Sequence, residues 1–528
     1  LTHVNAAARF SLLDTSMSNA MADDQQEVIR FLSRPSSYGP GIERVEIVET
    51  HISLVFLAGE RAYKLKRAVV YPYLDFSTAE RRRRACAAEL SLNRRTAPAL
   101  YLDLRAIGRT PEGSIGFISR GAALDWVVVM RRFDQALLFD ALAREGRLNA
   151  ALMQDLTDRI AAFHAAAERR FDYGGAAALR AIIAENHDCL AAAPPEVGFI
   201  PQQRDAVRDR SLARLAALGP LLDRRRAEGK VRRVHGDLHL RNIVLFDGAP
   251  VLFDCIEFSE TLATIDILYD LAFLLMDLEH RGLGEFANRV LNRYLDLTGE
   301  DDGLPAMPLF LSVRAAIRAH VTAAATRWAA PAAQRDEAAE ARRYLDLAAR
   351  FLEPRPRRLV AIGGLSGTGK STLAAALAAL LGARVLRSDV IRKRLFGAPP
   401  ETRLPASAYS AAVSQQVYRR LREMAKAALE AGYSVIIDAV ALRPQERQSF
   451  SAVAAAAAVP FCGLWLEAPA ETLANRLAAR RNDASDASLA VLEQQLRRDP
   501  GPIAWTRINA AAAPQQCLAA ARRAVIPE

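Results

Sequence analysis

The run GGLSGTGKST, Gly363 to Thr372, sets two glycines five residues apart immediately before a lysine, a serine and a threonine. From Gly364 to Ser371 it fits GxxxxGK[ST], a spacing with a definite chemistry: the loop turns its backbone N–H groups toward phosphate oxygens, the lysine reaches the outer phosphates, and the serine hydroxyl can ligate magnesium. Gly364, Leu365, Ser366, Gly367, Thr368, Gly369, Lys370, Ser371 and Thr372 are therefore read as a nucleotide-binding set, with Gly367 placed where a Cβ would crowd the nucleotide. A second cluster lies earlier, in HGDLHLRN, His235 to Asn242, with Asp254 twelve residues beyond Asn242 in VLFDCIEF. There Asp237 is placed to orient and deprotonate a hydroxyl, and Asn242 and Asp254 to hold magnesium.

Further side chains extend both clusters. Lys64 and Lys66 alternate along RAYKLKR, so both point to one face of a strand toward phosphates, and Glu89 is the acid that would hold the lysine in place. In the second half, a strand RVLRSD is expected to end at Asp389, where its carboxylate could accept the proton of an attacking hydroxyl; capping the following helix is the competing use. Arg392, one helical turn on, could bind an anionic group of the acceptor. Asp438, ending SVIIDAV, is a weaker candidate for holding magnesium through water. Arg476 and Arg480, four apart, share a helix face with Arg481 beside them, and suit a lid over phosphates or a solvated basic face.

These residues need elements to position them. A chain of 528 residues exceeds the size of a single core, so at least two domains are expected. Strand-length apolar alternation in VEIVETHISLVFLAG, RAYKLKRAVV and DWVVVMRRF precedes helical periodicity from about Leu137 to Arg226, then short strands around the HGDLHLRN loop and helices to about Leu352. The prolines of LEPRPRR mark a boundary, after which LVAIGG opens an alternation of strand and helix that predicts a parallel sheet covered on both faces. The expected organisation is a disordered tail over 1–22, with Met17 or Met21 as an alternative start, a kinase-type domain over 23–351, a linker over 352–358 and a P-loop domain over 359–528.

Composition bounds the rest. Of 70 basic residues only six are lysine, at 64, 66, 230, 370, 393 and 426, and four of those fall in the motifs above, where a compact ammonium suits phosphate contact. The net charge of +10 is spread along the chain, so it does not by itself point to nucleic acid. Runs such as Arg81 to Arg84 and Arg224 to Arg226 are read as solvated helix faces. Five cysteines without CxxC spacing speak against a zinc site or a disulfide framework. No secretory leader and no spanning apolar stretch are visible, which places the chain in the cytoplasm without a membrane partner.

The region from Arg357 to about Asn509 resembles the P-loop small-molecule and polynucleotide kinases, including the gluconate kinase, chloramphenicol phosphotransferase and zeta-toxin types. The region from about Asp23 to Leu352 resembles the aminoglycoside phosphotransferase and choline kinase family, and the whole chain resembles a bacterial fusion of the two. The resemblance implies an α+β, two-lobed protein-kinase-like domain followed by an α/β P-loop domain with a parallel sheet flanked by helices. It also implies that Asp270 packs against the catalytic loop and that DWVVVMRRF supplies an adenine-binding hinge. Two departures stand out: no GxGxxG loop precedes the lysine strand, and Asp254 is followed by Cys-Ile-Glu in place of Phe-Gly. Gly236 stands where regulated protein kinases carry an arginine, which favours a small-molecule kinase. His235 is read as a structural hydrogen-bonder and His239 as a packed or solvated side chain.

The leading expectation is a bifunctional phosphotransferase that uses ATP and Mg2+ at both sites and hydroxyl-bearing small molecules as acceptors. One alternative is a regulatory protein whose first half binds nucleotide without turnover and gates the second. Another is a polynucleotide 5′-hydroxyl kinase using Asp389 and Arg392, so that nucleic acid is a possible but less favoured partner. Nothing in the sequence sets the acceptor or the oligomeric state.

Overall fold

The computed structural model describes residues 25–50, 52–71, 74–328, 330–479 and 484–526. The proposed tail over 1–22, with Met17 and Met21, and Arg480 and Arg481 lie outside the described residues. The chain divides into two compact units: one runs to Arg281 and resumes over Met307–Leu352, and the other comprises Gly282–Ala306 with Glu353 onward.

In the first unit the alternating apolar runs form an antiparallel sheet of β1 (Val45–Glu49), β2 (Ser53–Ala58), β3 (Arg61–Lys66), β6 (Tyr101–Arg109), β7 (Ile115–Ile118) and β8 (Ala123–Arg131). Its strand order is β1-β2-β3-β8-β6-β7, with a two-residue pair β4 (Val70–Tyr71) and β5 (Leu74–Asp75) set apart. The helix Ala79–Asn93 starts where Thr78 accepts from the Arg81 N–H, and it packs on β8 and β6. Cys86, Val128 and Leu100 form part of the core it buries. After Arg131 the unit turns helical, and the loop of interest is framed by β9 (Val231–Arg233), the hairpin β10 (Ile243–Phe246) and β11 (Ala249–Leu252), and β12 (Thr264–Asp266), which pairs with β9. Asp266 caps the helix Ile267–His280 by accepting from Leu268 N–H, and this helix, mainly apolar but carrying Asp270 and Asp277, is buried over most of its length.

The second unit is a five-stranded parallel sheet, β14-β15-β13-β16-β17, of β13 (Leu359–Gly364), β14 (Arg384–Arg387), β15 (Val435–Asp438), β16 (Phe461–Glu467) and β17 (Thr506–Asn509). Every residue of β13 is buried, as a central parallel strand covered on both faces requires. The helix Lys370–Leu381 follows it directly, and Leu373, Ala374 and Leu377 join Val360 and Ile362 in the core.

The sequence reading placed 282–306 within the first domain, but its partners are in the second unit. On the helix Gly284–Thr298, the amides of Asn288 and Asn292 donate to the Ala383 carbonyl at 3.0 and 2.9 Å. The buried Arg384 guanidinium lies 2.8 Å from Asp296 and 2.7 Å from Asp301. Helical periodicity announces such a segment without saying which core receives it. No helix among the described residues is long and apolar enough to cross a membrane.

Candidate active sites

In the second unit the chain must turn sharply from β13 into a helix, and the glycines make this possible: Gly364 has φ +133°, Gly367 +88° and Gly369 +84°. A Cβ at Gly367 would stand 2.8 Å from the Leu473 carbonyl oxygen, so a side chain there clashes with the protein backbone itself. Lys370 Nζ donates back across the loop to the Leu365 carbonyl at 3.0 Å, and Thr368 Oγ1 donates to the same carbonyl at 2.8 Å. The Ser366 N–H donates to Gln495 Oε1 at 2.8 Å, so a side-chain oxygen stands where an anionic oxygen would be received. Gln495, on the helix Leu489–Leu496, was not singled out by sequence reasoning, since only the fold brings it to the loop.

Ser371 Oγ donates to Asp438 Oδ2 at 2.6 Å, at the carboxyl end of β15. Arg387 approaches both, at 3.2 Å from the serine oxygen and 3.6 Å from the carboxylate. An oxygen pair of hydroxyl and carboxylate beside the phosphate loop is a donor set that fits a hard cation such as magnesium.

Strand β14 stops at Arg387, so Asp389 sits in the first turn of the helix Ser388–Leu395 rather than at a strand end. The N-cap is Arg387, without a side-chain capping bond, so Asp389 does not cap this helix. Burial raises the Asp389 carboxyl above the ordinary aspartate range; the hydrogen bond with Ser485 opposes this and the nearby Asp438 carboxylate adds to it. Arg392 is buried, donates to the Ala408 carbonyl at 2.7 Å and lies 4.8 Å from the Tyr409 ring centre. Asp389, Arg392, Lys370, Asp438 and Arg476 all line one cleft of about 1990 Å³. Arg476 is exposed on the helix Ala470–Ala479.

In the first unit the two lysines need not be chosen between on position alone, for both reach Glu89. Lys64 Nζ lies 2.7 Å from Glu89 Oε1 and 2.7 Å from Asp254 Oδ1, while Lys66 Nζ lies 2.5 Å from Glu89 Oε2 and also pairs with Glu257. Lys64 is thus the lysine that links the helix-borne glutamate to the aspartate after β11. Glu257 was missed by sequence reasoning; the only signal was its place in Asp-Cys-Ile-Glu. All five side chains are nearly excluded from solvent. Burial lowers the lysines' affinity for protons, but Asp254 and Glu89 outweigh it at Lys64, which is held well above its ordinary range.

Asp254 adopts φ +63°, a strained left-handed conformation for a residue with a side chain. Its N–H donates to the Tyr101 hydroxyl at 3.2 Å, and the Cys255 N–H donates to Asn93 Oδ1 at 2.8 Å. Asn242 donates through Nδ2 to Asp237 Oδ2 and to its carbonyl, both at 3.0 Å. Asn242 Oδ1 is buried with no hydrogen-bond partner among the described residues, and this oxygen together with the Asp254 carboxylate fits a magnesium ion. Asp237 is 1 % exposed; burial alone would raise its carboxyl, but His239 and His235 hold it below the usual range. Asp270 accepts from the Gly236 N–H at 2.8 Å and the His235 N–H at 3.3 Å, packing on the loop as the resemblance implied. His235 Nε2 lies 2.9 Å from the Phe253 carbonyl, and His239 is buried edge-on to Phe273.

Residues 65–310 match the family model described as phosphotransferase enzyme family, and residues 359–502 match the one described as AAA domain. Among curated proteins, the uncharacterized protein Rv2004c of Mycobacterium tuberculosis (strain ATCC 25618 / H37Rv) is 31% identical over 453 residues, spanning 84% of this chain and 88% of its own. The uncharacterized protein Mb2027c of Mycobacterium bovis matches to the same extent. Among solved structures, a sugar kinase from Janibacter sp. HTCC2649 is 24% identical with a TM-score of 0.26, covering 32% of this chain and 94% of that one. The choline kinase of Cryptosporidium parvum Iowa II is 12% identical with a TM-score of 0.40, covering 62% and 95%.

Proposed function

This chain belongs to one family with those mycobacterial proteins and carries a phosphotransferase-family domain followed by an AAA domain, and from that premise we propose that it is an ATP-dependent kinase with two phosphoryl-transfer sites. A kinase-type phosphotransferase is what the two domains make it; which residues act, and on what, is our reading. The carrying observation is the cleft of the second unit, where a phosphate loop, a serine–aspartate oxygen pair and a carboxyl raised by burial face one space. In that reading Lys370 and the loop amides of Gly367 to Thr372 bind the phosphates, and Ser371 and Asp438 hold Mg2+, which offsets phosphate charge when bound. Asp389 takes the proton of an acceptor hydroxyl, for which a raised carboxyl is the better-matched base near neutrality. Arg476, with Arg480 as a second candidate, closes over the phosphates.

At the first unit, Asp237 orients the acceptor hydroxyl, Asn242 and Asp254 hold Mg2+, and Lys64, braced by Glu89, contacts ATP phosphates; Lys66 braces the brace through Glu89 and Glu257. The same unit supports a second reading, a nucleotide-responsive module that does not turn over, because Asp237, Asn242, Asp254, Lys64 and Glu89 are all buried and must be uncovered before any acceptor reaches them. Incubating the intact chain, Lys370→Ala and Asp237→Asn with γ-labelled ATP, magnesium and a metabolite mixture separates the two. Two products, each lost in one variant, support two kinase sites. A single product that survives Asp237→Asn leaves the first unit regulatory, and no product from the intact chain sinks the kinase reading.

A further inference from the structure

Resting on the reading of the second unit as a kinase, we infer that its acceptor is a hydroxyl compound that already carries a phosphate ester, received by Arg403, Arg419 and Arg422. The cleft of about 1990 Å³ is roughly twice the upper end of ordinary small-molecule pockets, which gives room for an acceptor beside a nucleotide. One wall is the helix Ala411–Glu430, on which Gln415, Tyr418, Arg419 and Arg422 fall at spacings of three, one and three, so they share a face and line the cleft.

The charges on this helix sort by face. Away from the cleft, Arg420 sits 3.2 Å from Glu423 and Lys426 sits 3.8 Å from Glu430, so these cations have intrahelical acid partners. On the cleft face, Arg419 and Arg422 have no carboxylate partner among the described residues, and neither has Arg403 across the opening. The carboxylates that could have served them are engaged elsewhere. Asp486 is paired with Lys393 at 2.5 Å and with the Tyr409 hydroxyl, Glu446 accepts from the Arg443 N–H at 3.1 Å, and Asp499 accepts from the Gly501 N–H at 2.8 Å. Arg392 donates to the Ala408 carbonyl at 2.7 Å while its Nε has no partner among the described residues, so it can add one N–H to what the other three offer an anion.

Three planar forks without carboxylate partners lining one cleft match the oxygens of a phosphate monoester better than a neutral sugar or a cationic amine. The reaction is then a second phosphorylation: the acceptor oxygen bonds to the γ-phosphorus as the bond to the β,γ-bridging oxygen breaks, the hydroxyl proton passes to Asp389, and ADP leaves. The product carries two phosphoryl groups.

A metabolite extract is split on an anion exchanger into flow-through and retained fractions, each is offered with γ-labelled ATP to the intact chain and to Lys370→Ala, and only label that Lys370→Ala loses is counted, because that label is the second unit's. Label transferred only in the retained fraction, and abolished when that fraction is first treated with immobilised alkaline phosphatase, supports the inference. Nuclease treatment distinguishes the source: loss of label after nuclease assigns the anion to an oligonucleotide end and overturns a small phosphate ester. Transfer in the flow-through, or survival of phosphatase treatment, overturns the inference while leaving the kinase reading intact; no transfer in either fraction sinks both. Arg419→Gln and Arg422→Gln should each raise KM for the retained acceptor about tenfold or more with KM for ATP unchanged, and Arg419→Lys should recover part of the loss. In calorimetry with ADP and magnesium present, the purified acceptor should bind the intact chain and lose heat of binding in both glutamine variants. Unchanged KM and binding in those variants would also overturn it.

Discussion

Lys66 is a stringent test of how the first unit is held, because it is fully buried between two glutamates, Glu89 and Glu257. Lys66→Met keeps most of the side-chain volume and removes the charge. Stripping one partner from a buried pair leaves an uncompensated charge, which costs about 3–5 kcal/mol. For a unit of roughly 300 residues the unfolding entropy is about 0.6 kcal/mol per kelvin, so the melting temperature should fall by about 5–8 °C. Scanning calorimetry of the full chain reads it, with magnesium and ADP added to move the second unit's transition away. The loss should shrink on acidification. Burial, as the largest influence, already raises the Glu257 carboxyl above the ordinary glutamate range, and without Lys66 it rises further. Its folded pKa then exceeds its unfolded one, the folded state binds more protons between the two values, and stability increases as pH falls through that window. Adding Glu257→Gln to Lys66→Met should restore part of the loss. A shift under about 1 °C, or one no larger than that of breaking the exposed Arg83–Glu80 pair, would refute the reasoning.

Other outcomes follow from the second unit. Gly367→Ala, with φ +88° and a Cβ 2.8 Å from a backbone oxygen, should weaken binding of a non-hydrolysable ATP analogue about tenfold or more by calorimetry. Asp389→Asn should lower kcat about 10²- to 10⁴-fold with little change in KM for ATP. In the intact chain kcat/KM should fall as pH drops, with a midpoint above the ordinary aspartate range, because the raised carboxyl protonates early and then cannot accept the hydroxyl proton. Gln495→Ala frees the Ser366 N–H and should tighten nucleotide binding by about two- to tenfold, measured by the same titration.

The phosphate loop was legible because its chemistry is written in eight contiguous residues whose flanks also spell strand and helix. Asp237, Asn242 and Asp254 were legible for a similar reason, being spaced along one loop and hairpin. What spacing could not carry was pairing across the fold. Glu257 meets Lys66 from 191 residues away, and nothing local distinguishes it from a solvated glutamate. The same limit left Lys64 and Lys66 equivalent in sequence, since strand alternation gives a shared face but not the position of Asp254. Asp389 was misplaced by one element, because Arg387 and Ser388 extend a strand pattern that the chain ends early to begin a helix. Gln495 and the sorting of arginines on the Ala411–Glu430 helix appear only once the cleft exists.

The assignment of 282–306 to the second unit bears on how the polypeptide is made. This segment leaves the ribosome before Met307–Leu352, and so before the first unit is complete, while Ala383, Arg384 and Arg394, its hydrogen-bonding and ionic partners, are synthesised some eighty or more residues later. Until then Val290, Tyr294 and Leu295, buried in the finished protein, have no sheet of their own to cover them. A chain truncated at Leu352 would retain that helix without Ala383, Arg384 and Arg394, whereas one beginning at Glu353 would lack it. Interleaving in sequence thus ties the two units to one continuous polypeptide.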